Sequence, residues 1–89
     1  MVNVKNYSEL LDALREMAAE QFCLEPVEGI SFDADMRGDL EVDSLDIVEF
    51  LINLETEFDI KIPQVKAQNI KSIRDAADYI SEALNIPSE

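Results

Sequence analysis

Apolar residues recur at helical spacing in three stretches of the chain, and nowhere do they sustain the alternation of a strand. From Asn6 to Phe22, the residues Tyr7, Leu11, Leu14, Ala18 and Phe22 fall three or four places apart and predict an amphipathic helix. Asn6, with Glu9 three places on, makes a capping pair at its start. From Ser44 to about Phe58 the apolar positions are Val48, Leu51, Leu54 and Phe58, while Asp46, Glu49 and Glu57 project elsewhere. Asp43 stands at the N-cap position, and Asp46 adds favourable charge to the first turn. Ser72 and Asp75 open a last helix with Ile73, Ala77, Ile80 and Leu84 on its buried face and Pro87 beyond its end.

Between the second and last helices, Ile60, Ile62 and Pro63 break the pattern. They leave room for a turn or so of helix from Gln64 to Asn69, with Pro63 at its start. Cys23 to Val42 shows no period at all: Pro26, Gly29 and Gly38 punctuate it, and Val27, Ile30, Phe32 and Leu40 are isolated. This reads as a long, partly packed loop, and loops above about 15 residues in small domains tend to be functional or mobile. The expected fold is all-α, a small bundle of three main helices plus one short helix, with the long loop between the first two.

At 89 residues the chain is expected to form one domain over 1–89. Its 47% hydrophobic content supplies a core that disordered segments lack. Charge changes the picture more: 20 acidic residues against 7 basic ones and no histidine give −13. A field of that sign excludes nucleic acid as a partner. Residues 25–59 hold 12 of the acids and only Arg37 among bases, whereas residues 60–89 balance to zero. Without histidine a serine nucleophile of the triad type has no base, so no enzyme is expected. The carboxylates of Asp43 and Asp46 are assigned to capping and surface charge rather than acid–base work. The single Cys23 can form neither an internal disulfide nor a zinc site and is expected to be a small buried residue. Met1 to Tyr7 holds no apolar run and no stretch approaches a membrane span, so a cytoplasmic monomer with no membrane insertion is expected.

The chemistry concentrates in Asp39-Leu40-Glu41-Val42-Asp43-Ser44-Leu45-Asp46. A serine sits there where the loop meets an acidic helix, and the unpaired amides of a first helical turn favour an anion such as phosphate. Most serines at such positions only start helices. Here, however, the surrounding residues extend the pattern: Asp43 to Asp46, Glu49, Leu54-Glu55, Glu57-Phe58-Asp59, Ile62-Pro63, Ala67, Ile70 and Ala76 to Ile80. Together they resemble the acyl carrier protein family without a gap from Asp39 to Ile80.

The resemblance implies a carrier that holds acyl intermediates as thioesters on a covalent 4′-phosphopantetheine arm. The arm comes from coenzyme A and is attached to Ser44, flanked by Asp43 and Leu45. The implied partners are a phosphopantetheinyl transferase and the synthase or transferase enzymes that load and use the acyl group in fatty-acid, lipid or polyketide-type biosynthesis. Their basic patches would meet Asp39, Glu41, Asp46, Glu49, Glu55 and Glu57, with Leu45 and Ile52 as apolar contacts amid the charge. Val48, Leu51, Phe58, Ile70 and Ile80 are the residues expected to part for an acyl chain.

Three departures stand out. Glu41 replaces the glycine usual in fatty-acid members, which stiffens the approach to Ser44 and adds charge beside it. Gln64 to Asn69 carries no acid where those members are acidic, and Thr56 stands where glutamate is common. They point to a specialised acyl, polyketide or aminoacyl carrier rather than a general one.

The alternatives are an aminoacyl or peptidyl carrier of the same fold, or an acidic calcium-binding or helical interaction module with no prosthetic group. Asp33, Asp35, Gly38, Asp39 and Glu41 do match EF-hand positions 1, 3, 6, 7 and 9. Arg37 at position 5 and Ser44 at position 12 spoil that site, so no specific metal is expected.

Overall fold

Among the described residues, two of the four α-helices begin at a residue whose side chain caps the first turn. In the computed structural model, which describes residues 4–25 and 27–86, α1 spans Tyr7–Phe22, α2 Ser44–Phe58, α3 Gln64–Ala67 and α4 Ile73–Ala83. A single 3-10 turn at Val27–Gly29 interrupts the α1–α2 loop, and no strand occurs among the described residues. The fold is all-α, as the periodicity predicted. Met1–Asn3, Pro26 and Pro87 lie outside the described residues.

At the start of α1 the Asn6 side chain accepts the Glu9 N–H at 2.9 Å. The Glu9 carboxylate reaches back one residue further than a capping box, to the Lys5 N–H. On α4 the box is complete: Ser72 Oγ accepts the Asp75 N–H, and Asp75 Oδ2 accepts the Ser72 N–H. Three helices close without glycine. Cys23, Asp59 and Asn85 take left-handed φ values of 57°, 54° and 58°, so that the amides of Leu24, Ile60 and Ile86 reach Ala19, Glu55 and Ser81 carbonyls. Cys23 is therefore exposed at a helix end, not the buried residue expected.

Leu10, Leu14 and Ala18 of α1, Phe50 and Leu54 of α2, and Ile73, Ala77 and Ile80 of α4 form the fully buried core. Tyr7 joins α1 to α4 by donating its hydroxyl to the Asp78 carboxylate. Burial first, and that carboxylate second, push its pKa up. Two expected core positions are corrected. Val48 is 50% exposed, because Phe50 turns toward α1 instead and packs on Phe22 in a tilted pair with ring centroids 5.3 Å apart. Leu84 caps α4 and is 38% exposed.

The loop is pinned rather than loose. Ile30 is buried, and Phe32 lies between Arg15 and Arg74, whose guanidinium carbons sit 4.5 and 5.9 Å from its ring centre. Arg74 also donates its backbone N–H to the Phe32 carbonyl and its side chain to Asp33. Met36 is wholly buried; its N–H donates to Lys71 O at 2.9 Å, and its carbonyl accepts the Val42 N–H at 2.8 Å.

Truncating the buried anchor should be costly. Met36→Ala is expected to lower unfolding free energy by about 2–5 kcal/mol in a urea titration, whereas half-exposed Val48→Ala should cost no more than about 1 kcal/mol. Equal losses would contradict this assignment of the core.

Candidate functional site

The Met36 tether fixes the approach to Ser44. Once Val42 bonds back to Met36, the chain must turn sharply, and Glu41 does so at φ 55°. The glutamate thus adopts the left-handed backbone that glycine takes freely. Its departure from the family pattern costs strain rather than simply stiffening the segment. Asp43 is extended at φ −65°, ψ 145°, and its carbonyl accepts the Ile47 N–H, so it does hold the N-cap place. Its side chain makes no capping bond. Ser44 follows as the first residue of α2, exposed to solvent.

Ser44 lies at the edge of a groove of about 460 Å³ between α2, the loop and α3. Ile47, Val48 and Leu51 continue from Ser44 along one face of α2 and form its floor with Ala67 and Ile70. Asp35, Arg37, Gln64, Gln68 and Lys71 make its polar rim. Of the residues expected to admit an acyl chain, Val48, Leu51 and Ile70 line this groove. Phe58 and Ile80 are not among its lining residues and sit in the buried core instead.

The residues expected to meet partners fall in several settings. Leu45 and Ile52 are 63% and 53% exposed and share a face with Glu49, which is exposed between them. Glu41 and Asp43 are exposed near Ser44, and Asp46 is half-buried. Glu55 is otherwise engaged: its carboxylate accepts the Ile62 N–H at 2.7 Å and closes the α2–α3 turn. Glu57 lies in a second cleft with Met17, Glu20, Gln21, Phe50 and Asn53. Asp39 accepts the Asp35 N–H inside the loop.

The calcium-loop acids are likewise committed to the fold. Asp33 pairs with Arg74 at 2.5 Å, and Asp35 Oδ1 accepts the N–H groups of Arg37 and Gly38. Those backbone bonds, Gly38's first, with lesser help from the Lys71 and Arg37 charges, hold the Asp35 carboxyl below its usual pKa. Among the described residues no group of three or more His, Cys, Asp or Glu side chains is placed to hold a metal ion.

Sequence reasoning missed the groove's rim. Gln64 and Gln68 stand out in the sequence by lacking charge, although their four-residue spacing places them on one side of α3 and its C-cap. Arg37 stands out as the sole base in a segment of 12 acids and as an intruder in a calcium loop. Lys71 has no signal in the sequence, since long-range contacts such as the Met36 bond to its carbonyl bring its segment beside the loop.

With that geometry in view, the chain matches the family model described as "Phosphopantetheine attachment site" over residues 12–80. The acyl carrier protein of Brachyspira hyodysenteriae is 40% identical over 73 residues, which is 82% of this chain and 94% of that one. The acyl carrier protein of Thermosynechococcus vestitus is 37% identical over 76 residues, covering 85% and 93%. A solved structure of the Enterococcus faecalis acyl carrier protein superposes with a TM-score of 0.72 at 27% identity, covering 86% of this chain and 96% of that one. No helix among the described residues is long and apolar enough to cross a membrane.

Relieving the left-handed strain ahead of Ser44 should be measurable. Glu41→Gly is expected to raise unfolding free energy by about 0.5–1 kcal/mol, the strain relieved exceeding the entropy glycine adds to the unfolded chain. Glu41→Ala, which keeps a Cβ, should gain less in the same denaturant titration. Destabilisation by glycine would contradict the backbone at this turn.

Proposed function

The chain belongs to the acyl carrier protein family, and on that footing we propose that Ser44 bears its prosthetic arm. As a member the protein carries acyl groups on a covalent 4′-phosphopantetheine. It is a carrier rather than an enzyme, and it meets a phosphopantetheinyl transferase and acyl-handling enzymes. The observation that carries the assignment of Ser44 is its exposure at the first position of α2, on the edge of the groove and inside Asp43-Ser44-Leu45.

The surroundings fit the group. A hydroxyl that must be reached by a transferase stands in solvent, and the groove beside it offers cations and side-chain amides on its rim above an apolar floor. Bound at Ser44, the arm supplies a terminal thiol on which an acyl group rides as a thioester. The chain's own contribution is threefold. The Met36 tether positions the serine, the groove floor of Val48, Leu51 and Ile70 shields apolar cargo, and Asp43, Asp46 and Glu49 around Leu45 and Ile52 address the partner.

In this reading the partner enzymes present basic patches to the start of α2. Their encounter is fast at low salt and weakens as salt screens it. Residues 1–89 act as one acyl carrier domain, as a monomer in the cytoplasm. The absence of any acid on α3, where Val65 is 71% exposed, supports a dedicated acyl, polyketide or aminoacyl route over a general fatty-acid one.

The experiment is incubation with coenzyme A and a broad-specificity phosphopantetheinyl transferase, read by intact mass. One phosphopantetheine is expected on the wild type and none on Ser44→Ala. An unmodified, folded wild type, or a modified Ser44→Ala, would overturn the assignment.

A further inference from the structure

Most charge near Ser44 repels an anion. Glu41 and Asp43 are exposed beside it and Asp46 follows in the first turn, so a phosphodiester on this serine meets like charge on the α2 side. The groove side is different. Arg37 and Lys71 both line the groove that Ser44 edges, and the Met36 N–H bond to Lys71 O holds their two segments together. The ion pairs among the described residues are Arg15–Asp12 and Arg74–Asp33, so neither rim cation is matched with a carboxylate at pairing distance. Asp35 also lines the rim, and its carboxylate, bonded at Oδ1 by the amides of Arg37 and Gly38, feels both cations, so the three charges leave the rim with one net positive charge. Gln64 and Gln68 face the same space with side-chain amides.

We infer that Arg37 and Lys71 form a binding site for the arm's phosphodiester, which draws the arm off the acidic face of α2 and lays it along the groove. The inference rests on the reading of Ser44 as the attachment residue. Gln64 and Gln68 line the same groove, where the two amides of the pantetheine portion can exchange hydrogen bonds with them. Arg37 and Lys71 are positioning residues: they set where the arm lies and take no part in chemistry at the thiol. Two cations against one carboxylate on the groove give a short anion a preferred side even though the chain as a whole repels it.

The test compares the melting temperature of apo and loaded protein, after intact mass has confirmed loading in each case. With the site intact, loading should raise the wild-type midpoint by about 2–5 °C at low salt, and the gain should shrink near 1 M salt, where screening reaches about 3 Å. Arg37→Ser/Lys71→Ser should abolish the gain or turn it into a loss, since an added negative charge then meets only repulsion. Arg37→Lys/Lys71→Arg should keep it. Both side chains are exposed, and each variant is referred to its own apo form, so a merely structural effect cancels. The salt dependence of the wild type tests the site without any substitution. A loaded wild type that gains nothing at low salt, or a serine double variant that gains as much as the wild type, would overturn the inference while leaving Ser44 intact as the attachment residue. Failure of the wild type to load would instead overturn the reading of Ser44, and this inference with it.

Discussion

The place of Ser44 depends on one buried thioether. Met36 is wholly buried in a stretch with almost no regular structure, and its two main-chain bonds reach Lys71 on one side and Val42 on the other. Burying that side chain is worth roughly 1.5–3 kcal/mol. The anchor does two things at once: it fixes the last residues before α2, so that Ser44 opens the helix at a set position, and it brings the loop beside the segment that precedes α4. The groove exists because of that second contact, since Asp35 and Arg37 supply one side of it and Gln68, Ile70 and Lys71 another.

Around this anchor the charge is divided by side. The start of α2 displays Glu41, Asp43, Asp46 and Glu49 around exposed Leu45 and Ile52, the surface proposed above for basic partners. The groove rim carries Arg37 and Lys71, and α3 carries Lys66 with no acid. A carrier must be recognised from outside and keep its cargo close, and the two tasks favour opposite charge on neighbouring faces. Glu41 sits at the boundary and adds to the acidic face at the expense of backbone strain, a combination that belongs with function rather than stability.

Much of this was legible from residue order, because local chemistry decided it. Asn6 and the Ser72–Asp75 box mark helix starts through bonds that span three residues, and Pro63 marks the start of α3. The parts that were not legible are set by distant contacts. Val48 and Phe50 both suit a helix face, and only the packing of Phe50 on Phe22 decides which is buried. Met36 looked like one more loop residue because nothing within the loop records its bond to Lys71. Glu55 resembled its acidic neighbours until the chain turned and brought the Ile62 amide to it. At the candidate site, Ser44 and the acids at the start of α2 could be named in advance, while the rim of the groove required three segments to be assembled.

If the anchor governs the presentation of Ser44, it must be visible in solution. Site-resolved native-state hydrogen exchange measures it most directly, because protected amides in an otherwise irregular loop report the tether itself. The account predicts that the Met36 and Val42 amides exchange nearly as slowly as those of Leu14 and Ile80 in the core. Exchange of Met36 and Val42 at the rate of the amides of the exposed loop residues Ser31 and Glu41 would contradict it.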